Sequence, residues 1–173
     1  MEPTFEQWRT ISGFPSYQVS NFGRVINVDT GQIKKQSNRN GYARVNLWRD
    51  NQQKNKFIHR LVAEEFLPNP DEKVCVDHID RDITNNCVSN LRWASVSENA
   101  MNRSNEAGKG TSKYRGVCWV GQRRKWKAYV RHQRVMTNIG MYDQEKDAAR
   151  AYNEKASELF GEFANLNELS DSE

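Results

Sequence analysis

Cysteine is scarce in this sequence. The 173 residues include three cysteines, Cys75, Cys87 and Cys118, none of which forms a CxxC pair. An odd number of cysteines also leaves at least one thiol without a disulfide partner. The sequence therefore predicts neither a disulfide framework nor a tetrathiolate zinc site, and we interpret the three side chains as reduced, small apolar groups.

Long hydrophobic runs are also missing. No apolar stretch approaches the length of about 20 residues that a membrane-spanning helix needs. The first residues lack the basic and apolar regions of a signal peptide. We therefore expect an intracellular protein with no membrane partner. We also expect no small organic cofactor.

Acidic residues are absent from one long segment. Residues 109–135 contain nine Lys or Arg and no Asp or Glu, whereas residues 143–173 contain nine acids and three bases. The net charge of +4 and the sequence pI near 9.0 indicate a mild basic excess. The uneven distribution predicts one surface that binds a polyanion and another that is solvated.

The first 55 residues alternate short apolar clusters with four glycines: Gly13, Gly23, Gly31 and Gly41. This spacing is typical of short strands joined by tight turns. Strands are predicted over residues 17–20, 23–28 and 42–48. The last of these alternates apolar and polar residues, as in a strand buried on one face.

The middle of the chain predicts a strand, loop, strand and helix in succession. A helix over residues 59–66 ends before two prolines, and the apolar strand 74–76 leads to Asp77 and His78. A loop rich in Asp and Asn follows, and then a strand over residues 91–94. Ser95 and Glu98 have capping-box spacing, so a helix that includes Asn99 should begin there.

The last third of the chain predicts a separate module. Residues 103–112 have the composition of a linker. Beyond them, strands are predicted over residues 116–120, 125–130 and 134–139, and an amphipathic helix over residues 144–159 that ends at Gly161. The fold class is α+β: a β-rich N-terminal module, a central ββ-helix unit, and a three-stranded antiparallel sheet packed on one helix.

The central unit contains residue types suited to phosphodiester hydrolysis. That reaction needs an activated nucleophile, neutralisation of charge on phosphorus, and stabilisation of the departing oxygen. His78 can take a proton from water near neutral pH. The Asp77 carboxylate and the Asn99 amide are hard oxygen donors suited to Mg²⁺. A lone Asp-His pair is common by chance, so its neighbours have to carry the interpretation.

Those neighbours resemble the HNH nuclease family, in particular its phage and intron homing-endonuclease branch. The resemblance covers residues 59–103 and rests on segments 59–63 (HRLVA), 76–80 (VDHID), 85–86 (NN), 89–93 (SNLRW) and Asn99. It implies a ββα-metal fold, a divalent cation and DNA as substrate.

The resemblance also implies a role for each matching residue. His78 is the general base, Asp77 and Asn99 are the metal ligands, and Asn90 holds the loop around His78. Asn99 stands where the family name has its final His, which shifts the expected metal to Mg²⁺, Mn²⁺ or another hard divalent cation. His59 heads the preceding helix, where packing or a phosphate contact is the simpler interpretation.

Segments 8–14 and 17–25 look like the nuclease-associated modular domain that precedes HNH centres in homing enzymes. Residues 114–167 resemble the DNA-binding domain of plant ethylene-response factors (AP2/ERF-like), which lays its sheet in the major groove. The predicted domains are residues 5–55, 56–103 and 113–168, with a linker over residues 104–112.

The second resemblance implies a set of DNA contacts. Residues on the contact strands are Arg115, Lys127, Tyr129 and Arg131. Residues in turns, which touch phosphates, are Arg123, Arg124, Lys125 and Arg134. Trp126 is expected in the core of the sheet. Cys118 and Asn138 depart from the plant pattern, so the plant target sequence does not transfer.

Two functions remain open from the sequence. The first is a site-specific homing endonuclease, monomeric or homodimeric, from a phage or mobile element in a bacterial host, which hydrolyses double-stranded DNA with a divalent metal and a histidine base. The second is a non-catalytic, sequence-specific DNA-binding regulator that carries an inactive HNH domain. The intact set of Asp77, His78, Asn90 and Asn99 favours the enzyme.

Overall fold

The computed structural model of the protein describes residues 5–102, 111–132 and 135–169. The chain forms two compact units, residues 1–99 and residues 100–173. Most of the predicted linker, and Arg134, lie outside the described residues. Within the described ranges, no helix is both long and apolar enough to cross a membrane.

The first unit contains three antiparallel sheets, each with its strands in chain order. The four-stranded sheet consists of β1 (Trp8–Ile11), β2 (Phe14–Ser20), β3 (Val25–Asn27) and β4 (Gln32–Ile33). The three-stranded sheet consists of β5 (Ser37–Arg39), β6 (Tyr42–Arg49) and β7 (Gln52–Phe57). Helix α1 (Ile58–Phe66) follows, and β8 (Cys75–His78) then pairs with β9 (Leu91–Ala94).

One hydrophobic core joins these sheets. Val45 and Leu47, on alternate positions of β6, are fully buried, and they belong to the same cluster as Leu61 and Val62 of α1 and Val19 of β2. The predicted strand over residues 42–48 and the predicted helix over residues 59–66 are thus confirmed. The N-terminal segment and the ββ-helix segment share this core.

Strand β7 was not predicted from the sequence. Its residues, QQKNKF, contain a single apolar side chain, at their end, so they show no period-2 pattern. The strand forms because its backbone pairs with β6 along its length, from Arg44 opposite Phe57 to Arg49 opposite Gln52. Backbone hydrogen bonds to an adjacent strand do not depend on an apolar side-chain pattern.

The predicted capping box begins helix α2 (Val96–Asn102). The Ser95 hydroxyl accepts a hydrogen bond from the Glu98 backbone N–H at 3.2 Å, and the Glu98 carboxylate accepts one from the Ser95 N–H at 2.6 Å. Two amides that have no partner within the helix are thereby satisfied. The hydrogen bond from the Ser95 N–H lowers the pKa of Glu98, although partial burial opposes this shift.

The second unit has the predicted architecture. Strands β10 (Val117–Val120), β11 (Lys125–His132) and β12 (Val135–Tyr142) form an antiparallel sheet in that order. Helix α3 (Glu145–Phe160) packs against it and ends at Gly161. Ala148, Ala149 and Ala156 are fully buried, so small side chains let the helix approach the sheet closely. The α+β class is confirmed, and Trp126 packs against the core as predicted.

Candidate active site

Asp77 and His78 occupy the last two positions of β8, and each residue is only 5 % exposed. A tight turn follows, in which the Arg81 N–H donates to the His78 carbonyl at 2.9 Å. Across the sheet, Asp77 lies opposite Arg92 of β9. The guanidinium of Arg92 donates through Nε and Nη2 to Oδ2 of Asp77, at 2.9 and 2.8 Å. The strand register therefore creates a largely buried ion pair.

Asn86 is hydrogen-bonded to the His78 imidazole. Its Oδ1 lies 3.2 Å from His78 Nε2, and its Nδ2 donates to the Thr84 carbonyl at 3.1 Å. Because the Asn86 nitrogen already donates to a carbonyl, the oxygen must face the histidine, and His78 Nε2 must carry the proton. His78 Nδ1 is then the ring nitrogen whose lone pair can take a proton. Asn86 was not among the sequence-predicted site residues.

Asn90 ties the two ends of the intervening loop together. Its Nδ2 donates to Asp80 Oδ1 at 2.8 Å and to the Asn85 carbonyl at 2.9 Å, and its Oδ1 accepts from the Asp80 N–H at 3.0 Å. Burial alone would raise the pKa of Asp80, but the hydrogen bonds from Asn85, the Asp82 backbone and Asn90 outweigh it and lower that pKa. The loop after His78 is therefore held by a closed set of hydrogen bonds.

The N-terminal strands support the same loop from outside. The turn between β2 and β3 contacts it twice: the Val88 N–H donates to the Asn21 carbonyl at 2.8 Å, and Gly23 lies against Asn86. Gly23 has φ of +81°, and a Cβ added there would lie 3.0 Å from Asn86 Cβ and 3.0 Å from Ile58 Cγ2. Glycine is required here for both its backbone angle and its lack of a side chain.

Gly23→Ala is therefore expected to slow any reaction that depends on His78, because the new methyl group pushes on Asn86. Gly31→Ala is a matched control: its φ is +69°, but a Cβ there meets nothing within 4 Å. Both variants should lose about 1–2 kcal/mol of unfolding free energy from the left-handed backbone. The rate of the phosphodiester hydrolysis expected from the sequence measures the first effect, and urea unfolding measures the second. Equal rates in the two variants would contradict this coupling.

Asn99 lies in the second turn of α2, and its side chain is half-buried. Its backbone N–H donates to the Ser95 carbonyl at 3.0 Å. Its side chain makes no hydrogen bond to any other described residue. The structure thus brings Asp77, His78 and Asn90 together through β8, β9 and the loop, whereas Asn99 is positioned by the capped helix that follows β9.

A second histidine lies beside His78. The His59 ring centroid is 5.3 Å from that of His78 and 5.2 Å from that of Tyr42, and His59 stacks on Phe57 at 5.6 Å. The residue is 9 % exposed, so His59 is packed, as expected from the sequence. Burial, the neighbouring His78 and Arg60 lower the pKa of His59 from 6.5 to about 4. His59 is therefore uncharged at neutral pH.

This lowered pKa predicts a loss of stability in mild acid. Above pH 6.5 His59 is uncharged in both the folded and the unfolded chain. Between pH 6.5 and about 4 only the unfolded chain binds a proton there. The free energy of unfolding should therefore fall as pH decreases through this window, by up to about 3 kcal/mol from this residue. Urea unfolding at several pH values measures the loss, and it should be smaller in His59→Phe. An equal loss in both proteins would contradict the assignment.

The two predicted metal ligands have the chemistry of a cation site that a phosphate would complete. The described residues hold no group of three or more His, Cys, Asp or Glu side chains able to bind a metal ion. Asp77 and Asn99 offer one carboxylate and one amide oxygen. Mg²⁺ is commonly bound through one or two carboxylates, with phosphate oxygens and waters in the remaining positions. The residues present therefore fit a hard divalent cation bound together with a phosphate.

The second unit places three of the eight predicted DNA contacts on one face. Lys127, Tyr129 and Arg131 alternate along β11 with buried Ala128 and Val130, so they lie on the sheet face opposite α3. Arg123 and Arg124 are exposed in the turn before β11. Lys125, its first residue, pairs with Asp143 at 3.1 Å.

Arg115 differs from its predicted position. It lies in the turn before β10 rather than in a strand, and its backbone N–H donates to Asn167 Oδ1 at 2.7 Å. Its side chain hydrogen-bonds the Tyr152 hydroxyl of α3, where burial raises the pKa of Tyr152. Arg115 reaches Tyr152 because this turn approaches α3 closely: a Cβ at the adjacent Gly116 would lie 2.1 Å from the Tyr152 ring.

The structure also reveals a basic surface that the sequence had not singled out. Because Val45 and Leu47 of β6 point into the core, the alternate residues of β6 face outward with their cross-strand neighbours. We call this set the outer face of β5–β7: Ser37, Arg39, Tyr42, Arg44, Asn46, Trp48, Gln53, Asn55 and Phe57. The three strands contain no Asp or Glu, and Tyr42 brings this face to within 6.2 Å of the His78 ring, measured between centroids.

Two family models match the chain. One, described as NUMOD4 motif, matches residues 6–48, and the other, described as HNH endonuclease, matches residues 56–101. An uncharacterized HNH endonuclease of Acanthamoeba polyphaga mimivirus is 46% identical over 101 residues, which are 56% of this chain and 25% of that protein. The DNA endonuclease I-HmuI of Bacillus phage SP01 is 34% identical over 66% of this chain and 67% of its own length.

A solved structure also resembles this chain. That structure, of DNA binding and cleavage by the HNH homing endonuclease I-HmuI, matches with a TM-score of 0.53 and 37% identity. The match covers 56% of each chain. The present chain spans only about a quarter of the length of two mimivirus relatives that it matches.

Proposed function

Because the chain belongs to the HNH endonuclease family, we propose that it is a homing-type endonuclease that hydrolyses phosphodiester bonds in double-stranded DNA. The observation that carries this proposal is the His78 imidazole, held by Asn86 at the end of β8 beside Asp77. A buried histidine with one defined tautomer is suited to general-base catalysis. Similarity to I-HmuI supports DNA as the substrate.

In the proposed mechanism, Nδ1 of His78 takes a proton from a water molecule as that water attacks phosphorus. The Nε2–H bond to Asn86 holds the ring during this step and remains in place when His78 becomes an imidazolium. Asn90 keeps the loop that carries Asn86 closed against β8. The proton is thus held at a defined atom while the bond to the 3′ oxygen breaks.

Asp77 and Asn99 are proposed to hold the divalent cation, Mg²⁺ or Mn²⁺. When bound, such a cation neutralises charge on the phosphate and stabilises the departing oxygen. Arg92 Nη2 donates to Oδ2 of the same Asp77 carboxylate at 2.8 Å. This bond keeps the carboxylate aligned. Because Asp77 and Asn99 would supply only two ligands, metal affinity is expected to rise when DNA adds phosphate oxygens.

Two surfaces support double-stranded DNA as the partner. The outer face of β5–β7 offers Arg, Asn, Gln and aromatic side chains and runs toward His78. In the second unit, β10, β11 and β12 likewise contain no Asp or Glu. The AP2/ERF-like resemblance of residues 114–167 supports a role for this sheet in reading the major groove, where Arg131 can bind guanine.

The direct test is cleavage of supercoiled plasmid DNA by the purified protein with Mg²⁺ or Mn²⁺, with and without a chelator. We expect relaxed circles in the presence of metal and none with the chelator. Sequencing the ends cut from a random-sequence library then reports the site, the strand and the offset. DNA binding without cleavage under every metal condition would overturn the enzyme and favour the non-catalytic regulator.

The proposed reading surface predicts a salt-dependent loss of affinity. Replacing both Lys127 and Arg131 with alanine should raise the Kd for duplex DNA about 10- to 100-fold. It should also make the slope of log K against log salt less negative by about 2, because two phosphate or base contacts are lost. The matched control replaces Arg150 and Lys155, which lie on α3. Loss of affinity in the control alone would contradict the assignment of this face.

A further inference from the structure

His59 is conspicuous because it is a buried histidine in contact with the proposed general base. It begins the first turn of α1, far in sequence from the ββ-helix unit, yet its ring meets His78 edge-on with an interplanar angle of 62°. Tyr42 contacts both rings, at 5.2 Å from His59 and 6.2 Å from His78. Asn86 Oδ1 contacts Nε2 of His78, whereas His59 and Tyr42 pack against the His78 ring.

His59 contacts its neighbours as an aromatic ring, through ring–ring packing. Its buried Nδ1 has no hydrogen-bond partner among the described residues. Phe57 stacks on it at 5.6 Å with an interplanar angle of 30°, so the ring is confined on more than one side. Such packing transmits position to a neighbour because confined rings have few alternative rotamers.

We propose that His59 is a positioning residue: its ring holds the His78 imidazole in the orientation that Asn86 sets. This inference rests on the proposed role of His78 as the base.

Three variants test whether this role depends on the ring of His59 or on its nitrogen atoms. His59→Ala removes the ring, and we expect kcat for nicking to fall about 10- to 100-fold with KM and the Kd for DNA unchanged, because only the alignment of the base is lost. His59→Phe keeps an uncharged ring and should restore kcat to within about threefold of wild type. Leu61→Ala, a buried position on the same helix, controls for loss of stability alone.

A second measurement does not require cleavage. The imidazole nitrogen resonances of His78, identified by their loss in His78→Ala, should report a single Nε2-protonated tautomer in wild type and in His59→Phe. In His59→Ala they should report an average of tautomers. If wild type fails to cut DNA while these spectra behave as expected, the proposed function is wrong and the positioning role stands.

The opposite results would overturn the proposal. Wild-type kcat and an unchanged His78 tautomer in His59→Ala would show that His78 does not need the ring. If His59→Phe were as slow as His59→Ala, a ring nitrogen of His59 would be acting directly. His59→Ala should also be partly non-additive with Asn86→Ala, since both substitutions release the same imidazole.

Discussion

His78→Ala is expected to lower the rate of DNA nicking by about 10²- to 10⁴-fold, the range that a general base contributes. Affinity for DNA should change little, because His78 is only 5 % exposed and offers little surface to the duplex. Single-turnover nicking with saturating protein measures the chemical step, and a gel-shift titration measures binding separately.

His132→Ala is the matched control for this substitution. His132 lies in the second unit, where its ring contacts Phe160 at 5.5 Å, and it belongs to no proposed catalytic contact. Its substitution should leave the rate of the chemical step unchanged. A His78→Ala protein that nicks at the wild-type rate would remove His78 from the mechanism and leave the reaction without its proposed base.

Asp77→Ala is expected to abolish nicking and also to destabilise the first unit. The substitution removes the carboxylate proposed to hold the metal, and it deprives the Arg92 guanidinium of this partner in a site where the Arg92 side chain is 13 % exposed. Removing one member of a buried ion pair typically costs about 3–5 kcal/mol. Urea unfolding and nicking assays at several Mg²⁺ and Mn²⁺ concentrations measure the two losses.

The double variant Asp77→Ala, Arg92→Leu separates these effects. An apolar residue in place of Arg92 removes the guanidinium that has lost the Asp77 carboxylate, so part of the unfolding free energy should return. Nicking should not return, because the proposed metal ligand is still missing. Recovery of activity along with stability would mean that Asp77 serves the fold and not the metal.

Local signals in the sequence were sufficient for much of the fold. The Ser95 and Glu98 spacing predicted the start of α2 because a capping box acts within four residues of chain. Alternation along residues 42–48 predicted β6 and its buried face. By contrast, β7 has no such pattern, because its position is determined by pairing with β6 rather than by its own side chains.

The candidate site was predictable only in part, for a related reason. Asp77, His78, Asn90 and Asn99 lie within one short stretch of chain whose motif can be read directly. Asn86 lies in the same stretch, but the oxygen and nitrogen of its side-chain amide acquire distinct roles only when the loop folds and the Thr84 carbonyl accepts from the nitrogen. The Asn-Asn pair in the sequence was the one available signal.

The amino-acid sequence by itself was enough to predict the residue types at the end of β8, the elements with a local pattern such as β6 and α2, and the concentration of positive charge in residues 109–135. Only the tertiary structure decided which distant groups meet this chemistry. Gly23 comes to lie against Asn86, Arg92 against Asp77, and His59 against His78. These contacts depend on strand register and on the packing of α1 into a shared core, which no local pattern of residues specifies.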